Sequence, residues 1–375
     1  MTVHRRAMLG AAAISGIGAG LGVGLTPTRG PAAPAIVSSM PEVRWRCASS
    51  FPKSLEAIYG GGEETARRVA AATDGKFQIR VFAGGEIVPP LQVLDAVQAG
   101  TVECGHSSSF YYVGKDPTFA FDTAMPFGLN ARQHSAWMTH GGGLALMREF
   151  FAGYNIVQIP CGNTGAQMGG WFRREIKTLS DLVGLKMRIG GLAGKVMAKL
   201  GVVPQQISGA DVYEALERGG IDAVEWSGPY DDAKLGFHRV AKYYYAPGWW
   251  EGGAQITFMI GRPAWEALPP AYRAVLENAC AAANASMLAR YEVLNARALR
   301  TLAAEGAQLR AFPRSTLVAA QDAAEDVMAE EAVRNPRFAK VYGEWARFRD
   351  ESRLWSRVAE YAYDSFVYNA PPPRR

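Results

Sequence analysis

Three stretches of the chain set polar groups into otherwise apolar or glycine-rich sequence, the composition of a site that binds. The first is Cys161-Gly-Asn163-Thr-Gly-Ala-Gln167-Met-Gly-Gly-Trp-Phe172, and the second is Leu182-Val-Gly-Leu-Lys-Met-Arg188-Ile-Gly-Gly191. The third and most distinctive is Asp222-Ala-Val-Glu225-Trp226-Ser-Gly-Pro-Tyr-Asp-Asp232, continued by Lys242-Tyr-Tyr-Tyr-Ala-Pro-Gly-Trp-Trp-Glu251-Gly-Gly253. Catalysis would need a nucleophile with its base, a metal cluster or a cofactor fingerprint. Of the five histidines, His4 lies in the N-terminal segment, His134 and His140 fall on different faces of one helix, and His238 stands beside Arg239 in a polar loop. There is no GxSxG, GxxxxGK[ST] or HExxH. Gly141-Gly142-Gly143 fits a turn better than an oxyanion hole. Cys47, Cys104, Cys161 and Cys280 are too far apart for a CxxC redox site or a zinc ribbon and are expected as buried free thiols.

These stretches need elements to hold them. Strand patterns at 43–48, 77–82 and 102–106 alternate with helical ones at 54–72, which Gly60-Gly61-Gly62 should interrupt, and at 91–98. A second series has strands at 156–160, 167–172, 185–189, 202–206 and 223–225, and helices at 194–200 and 210–218. Such alternation predicts α/β sheets covered by helices. A strand at 255–260 crosses back to the first series. Then come a helix at 270–305 that has no glycine or proline after its first residue, and further helices at 315–333 and 336–363. The expected layout is lobe one at 36–158 with 250–268 returning to it, and lobe two at 159–249. Spine and C-terminal helices follow at 269–335, then a last helix and frayed tail at 336–375. Two such lobes make a hinged cleft of the periplasmic-binding-protein kind, with ligand beyond the C-terminal strand ends.

The N-terminus reads as an address. Arg5-Arg6 precede an apolar run from Ala11 to Leu25, and Ala33-Pro34-Ala35 supplies small residues for cleavage. That is the order of a secretory signal, and the paired arginines point to the twin-arginine route. The run is about fifteen residues, short of the ~20 that span a bilayer, and six glycines from Gly10 to Gly24 weaken it as a helix. Cleavage near Ala35 removes three of 40 basic residues and no acid, so the formal charge falls from +5 to +2. A nucleic-acid partner is not indicated. No later segment has the length and apolarity of a membrane span, so the mature chain is expected to be soluble.

Over nearly the whole mature chain the sequence resembles the periplasmic substrate-binding subunits of tripartite ATP-independent periplasmic (TRAP) transporters. It is most similar to the branch that binds α-keto acids with a metal ion. The resemblance runs from Arg46-Cys-Ala-Ser-Ser-Phe-Pro-Lys53 through Ala83-Gly-Gly-Glu-Ile, Glu103-Cys-Gly-His-Ser-Ser-Ser and Met125-Pro-Phe-Gly. It continues through Gly184-Leu-Lys-x-Arg188 to Glu225-Trp and Tyr243-Tyr-Tyr-x-Pro-Gly-Trp. It implies that Arg188 binds the ligand carboxylate, a task suited to a planar two-pronged donor. It implies that Gln167, Glu225, Glu251 and the main-chain carbonyl of Trp226 hold a cation that also meets the ligand. Oxygen-only ligation suits sodium or calcium; the keto-acid relatives use sodium, while two glutamates leave charge enough for calcium. No organic cofactor is expected. Tyr112, and more weakly Asn163, are candidates to hydrogen-bond the ligand, with Trp249 and Trp250 packing the cleft wall.

The function so implied is a periplasmic receptor for a small 2-oxo or 2-hydroxy monocarboxylate such as pyruvate or lactate. It would hand its ligand to membrane permease subunits without chemistry. C-terminal helices swap between protomers in this branch, and Leu354-Trp355, Tyr361, Tyr363, Phe366 and Tyr368 offer surface for such a homodimer. The rival reading is a secreted metal-assisted enzyme acting on a small acid with His106 or His238 as base. A sensor domain using the same cleft is a third.

Overall fold

In the computed structural model, which describes residues 40–371, the chain builds two sheets bridged by one long helix. Residues 1–39, where a signal segment is expected, and the last four residues lie outside the described residues. The first sheet takes β1 (Val43–Ser49), β2 (Phe77–Phe82), β3 (Cys104–Ser107) and β4 (Ile156–Asn163), together with β10 (Gln255–Gly261), in the order β2-β1-β3-β10-β4. β1 runs parallel to β2 and β3, while β10 runs antiparallel to β3 and β4. All seven residues of β10 are buried, and its two polar side chains, Gln255 and Thr257, both donate to the buried Asp122 carboxylate.

The second sheet contains β5 (Gly170–Phe172), β6 (Lys186–Arg188), β7 (Val203–Gln205), β8 (Ala223–Val224), β9 (Tyr243–Ala246) and β11 (Gln308–Ala311). Their order is β11-β9-β5-β8-β6-β7. Return of the chain through β10 places the second sheet's main segment between two passes of the first. β4 stays in the first sheet through Asn163, so the crossing falls beyond residue 158. β9 and β11 show no strand pattern because each is four residues long and paired only with distant partners.

The three glycines at 60–62 do not interrupt a helix. The helix Tyr59–Ala72 starts at them, and residues 54–58 form turns ahead of it. A Cβ on Gly61 would lie 2.3 Å from Met287 Cε, and one on Gly62 3.3 Å from the His106 ring. The absence of side chains there lets this helix lie against the spine helix Pro270–Ala304. At 1.5 Å per residue the spine is about 50 Å long, and it touches both lobes. Tyr291 donates to Asp231 Oδ2 at 2.6 Å on the second, while Ser286 donates to Glu64 at 3.0 Å on the first.

Two further helices complete the unit, Arg314–Arg334 and Pro336–Ser356, with Asn335 capping the second through the amides of Arg337 and Phe338. Phe338, Val341 and Trp345 are buried, the first and last against Phe121. The rod continues past the expected end through a wide turn at Arg357–Tyr361 into Ala362–Asn369, a segment with no buried residue. All four cysteines are buried and unpaired, packed together under the first sheet. No described helix is long and apolar enough to cross a membrane.

Candidate functional site

Arg188 ends β6, Glu225 follows β8, and these strands are parallel neighbours with Arg188 in register with Val224. Adjacent C-terminal strand ends therefore deliver an arginine and a glutamate to one point, the geometry in which open α/β sheets bind ligands. Both side chains are 1% exposed. Arg188 Nη1 donates to the Glu225 carbonyl at 2.7 Å and to its carboxylate oxygens at 2.9 and 3.1 Å, and Nε donates to the Ile207 carbonyl at 3.2 Å. The guanidinium lies 4.7 Å above the Trp226 ring. That ring in turn rests on Gly209, where a Cβ would sit 2.5 Å from Cη2. Trp226 thus supports Arg188 with its indole, a role its sequence position did not reveal.

Gln167 and Glu251 come from loops that meet over this pair. Gly248 donates its amide to the Gln167 carbonyl at 3.0 Å, an approach only a glycine permits because a Cβ would stand 2.6 Å from that oxygen. The same turn carries Glu251, whose amide returns to the Gly248 carbonyl. Gln167 Nε2 donates to Thr164 Oγ1 at 3.0 Å, which aims the amide; its Oε1 is buried with no hydrogen-bond partner. Gln167, Arg188, Trp226 and Glu251 line one small cavity with Phe51, Ile58, Phe110, Tyr111, Thr164, Ser227 and Ala254. The cleft narrows there to about 20 Å³. A wider groove of about 560 Å³ lies on the first lobe beside Arg148 and Glu277 and includes none of Gln167, Arg188, Glu225 or Glu251.

The electrostatics are unbalanced. Burial pushes the Glu225 carboxyl up, against the pull of Arg188. Burial also pushes Glu251 well above the usual carboxylate range, with the charge of Glu225 adding to the rise and Arg188 opposing it. Ionised together, the two buried carboxylates would outnumber the one guanidinium, which is why Glu251 resists losing its proton, and a buried amide oxygen beside them accepts nothing. An all-oxygen donor set with surplus negative charge fits a hard cation such as sodium or calcium. Among the described residues no three His, Cys, Asp or Glu cluster as a metal site; the set here has two carboxylates and depends on neutral oxygens for the rest.

Two expected ligand contacts lie elsewhere. Tyr112 is buried in the first lobe, where its hydroxyl accepts from the Leu94 amide and pairs with Ser107 Oγ, both at 3.1 Å. Its neighbour Tyr111 lines the cavity instead, because the two follow each other in one tight turn, Ser109–Tyr112, and face different ways. Asn163 caps the next loop, accepting from the Gly165 amide at 2.9 Å, and Thr164 reaches the cavity. Trp249 stacks on Phe127 and Trp250 packs toward Phe312, both behind the cavity. His106 is buried, its ring pushed down to about 3 by desolvation, and His238 faces Glu305 at 3.3 Å. Neither lines the cavity, and among the described residues no histidine does.

Two lobes whose polar strand ends converge on a narrow cleft define a binding protein, and comparison with known proteins gives the class. The chain belongs to the family of bacterial extracellular solute-binding proteins, family 7, whose model matches residues 48–335. Members are receptors of transporters, not enzymes. A monocarboxylate 2-oxoacid-binding periplasmic protein of Nostoc is 50% identical over 88% of this chain and 91% of its own length. A TRAP transporter solute-binding protein of Bordetella bronchiseptica is 54% identical, with a TM-score of 0.87 over 88% of this chain and 98% of that one. Its structure is a mixed-occupancy dimer with copurified calcium and picolinate in one active site. A TRAP solute-binding protein of Pseudoalteromonas atlantica holds sodium and pyruvate; it is 37% identical, with a TM-score of 0.84 over 88% of this chain and all of that one.

Proposed function

We propose that the protein is the extracytoplasmic receptor of a TRAP transporter that binds a small 2-oxo or 2-hydroxy monocarboxylate together with sodium or calcium and delivers it to the membrane permease. One observation carries this reading: a buried arginine paired with a buried glutamate at the meeting of parallel strand ends, with a second buried glutamate and an unpartnered amide oxygen in the adjoining cavity. Arg188 makes its hydrogen bonds through Nε and Nη1, so among the described residues Nη2 remains to receive a carboxylate. Gln167 Oε1, Glu225, Glu251 and the Trp226 carbonyl would hold the cation. When bound, the cation supplies the positive charge that the two glutamates lack. Tyr111, which lines the cavity where Tyr112 does not, would donate to the ligand from the opposite lobe, and Thr164 would take the part expected of Asn163. The first lobe otherwise presents Phe51, Ile58 and Phe110, an apolar wall suited to a ligand with one charged end.

Export to the periplasm by the twin-arginine route, through Arg5-Arg6, is part of the proposal. So is a homodimer through the C-terminal segment, where Leu354, Trp355, Val358, Tyr361, Tyr363, Phe366 and Tyr368 are each at least 67% exposed. The relative from Bordetella bronchiseptica forms a dimer, and a lone chain leaves this apolar face in water.

Closure around a ligand stabilises the folded state in proportion to the logarithm of ligand concentration over Kd. After chelation, pyruvate, 2-oxobutyrate and lactate are expected to raise the melting temperature when calcium or sodium is restored, and succinate is not. No shift with any 2-oxo acid in the presence of either cation would refute the ligand class.

A further inference from the structure

We infer that Glu56, Tyr230 and Lys234 form a latch between the two lobes, beside the spine helix, and set how long a bound solute is retained. The inference rests on the cleft being the solute site. Glu56 lies on the first lobe two residues before Ile58, and Tyr230 follows Ser227 by three residues on the second; Ile58 and Ser227 both line the cavity. Tyr230 and Lys234 are one turn apart on the helix Pro229–Leu235. The Tyr230 hydroxyl donates to Glu56 Oε2 at 2.8 Å, and Lys234 Nζ pairs with Oε1 at 3.2 Å. One carboxylate is thus held by two donors from the opposite lobe.

The spine helix positions both halves. Arg290 Nη1 donates to the Glu56 carbonyl at 3.1 Å, and Asn295 Oδ1 accepts from the Tyr230 amide at 2.9 Å. Lys234 also sits 5.2 Å from the Tyr230 ring centroid, which keeps the ammonium beside the hydroxyl. The latch therefore sits beside the spine, where it ties one lobe to the other in the closed state. An interaction made in the closed state and absent from the open one shifts that equilibrium by its full strength. The polar groups that receive the solute's charge lie on the second lobe, so loading does not require the latch. Release does, because the lobes must part. The Glu56 side chain is 54% exposed and that of Lys234 30%, so the ionic part of the latch is screened by salt, while the tyrosine bond to a carboxylate is charge-assisted.

The test is stopped-flow tryptophan fluorescence on the full mature chain with pyruvate and calcium. Glu56→Gln is expected to raise koff roughly fivefold and to leave kon within about twofold of wild type. Tyr230→Phe and Lys234→Met should each give part of the effect. Wild-type koff should rise with choline chloride, and the Lys234→Met slope should be flat; a role confined to helix stability would lower the melting temperature without removing that slope. Unchanged koff in Glu56→Gln, while wild type binds pyruvate, overturns the latch and leaves the receptor reading intact. Absence of pyruvate binding in wild type refutes the receptor reading instead. The latch is then judged by small-angle scattering of ligand-free protein: a larger radius of gyration in Glu56→Gln supports it, and an unchanged profile overturns it.

Discussion

Replacing Arg188 by methionine removes the one cation paired with Glu225 among the described residues and leaves the aliphatic volume in place. Three hydrogen bonds from Nη1 vanish at once, along with the Nε bond to Ile207 and the cation–π contact with Trp226. Because both side chains are 1% exposed, water cannot replace the lost partner, and breaking a buried pair from one side costs about 3–5 kcal/mol. With ~330 ordered residues and about 2.1 cal/mol/K of unfolding entropy per residue, the slope is about 0.7 kcal/mol/K, so the melting temperature should fall roughly 4–7 °C. Substituting both residues, Arg188→Met with Glu225→Leu, removes the stranded charge and should return stability to within about 1 kcal/mol of wild type. Pyruvate binding should be lost in both. The sign with pH is also set. Burial already raises the Glu225 carboxyl, so in the single variant a proton neutralises it as pH falls, and the deficit should shrink toward pH 5 and widen toward pH 8. Urea denaturation and calorimetry of the cycle, without solute, measure all of this. A loss below about 1 kcal/mol in Arg188→Met, or a double variant no more stable than the single one, would refute the reasoning.

At Gly190 an added Cβ would stand 2.4 Å from Phe110 Cε2 across the cleft, while the backbone there is extended and tolerates any residue. Gly190→Ala should weaken pyruvate binding roughly tenfold by titration calorimetry, and Phe110→Ala in the same chain should restore part of it. Asp232 accepts from Trp171 Nε1 at 3.0 Å and from the Tyr244 hydroxyl at 2.7 Å, and burial pushes its carboxyl up to about 7. A raised folded-state value means stability present below the ordinary Asp range and lost as pH rises through about 7; Asp232→Asn should flatten the urea midpoint between pH 5 and 8. Glu251→Gln removes one of two buried carboxylates and should abolish the calcium-dependent part of the pyruvate-induced melting shift.

Much of the architecture was legible in the chain because it repeats locally. β2 matches its alternating pattern residue for residue, and the helices at 270–304 and 314–334 end within a residue of where their composition changes. The three polar stretches converge on one cleft, as binding chemistry spread through apolar sequence requires. The failures are also physical. The glycines at 60–62 suggest a helix break when only neighbours are considered, yet they admit the Met287 and His106 side chains. β9 lies between β5 and β11, and β11 pairs with β9 at the sheet's edge, so both are held by distant partners and not by any period of their own.

By itself the sequence determined the element types, the α/β class, the family, and which loops carry polar groups, since each of these depends on residues close in the chain. Tertiary structure alone decided that Tyr111 and not Tyr112 faces the cleft, and Thr164 rather than Asn163. It also decided that Trp226 supports a guanidinium and that Glu56 meets a helix 174 residues away. The direction a side chain takes from a single turn is set by what packs on each side of it, and that comes from parts of the chain no local pattern can reach.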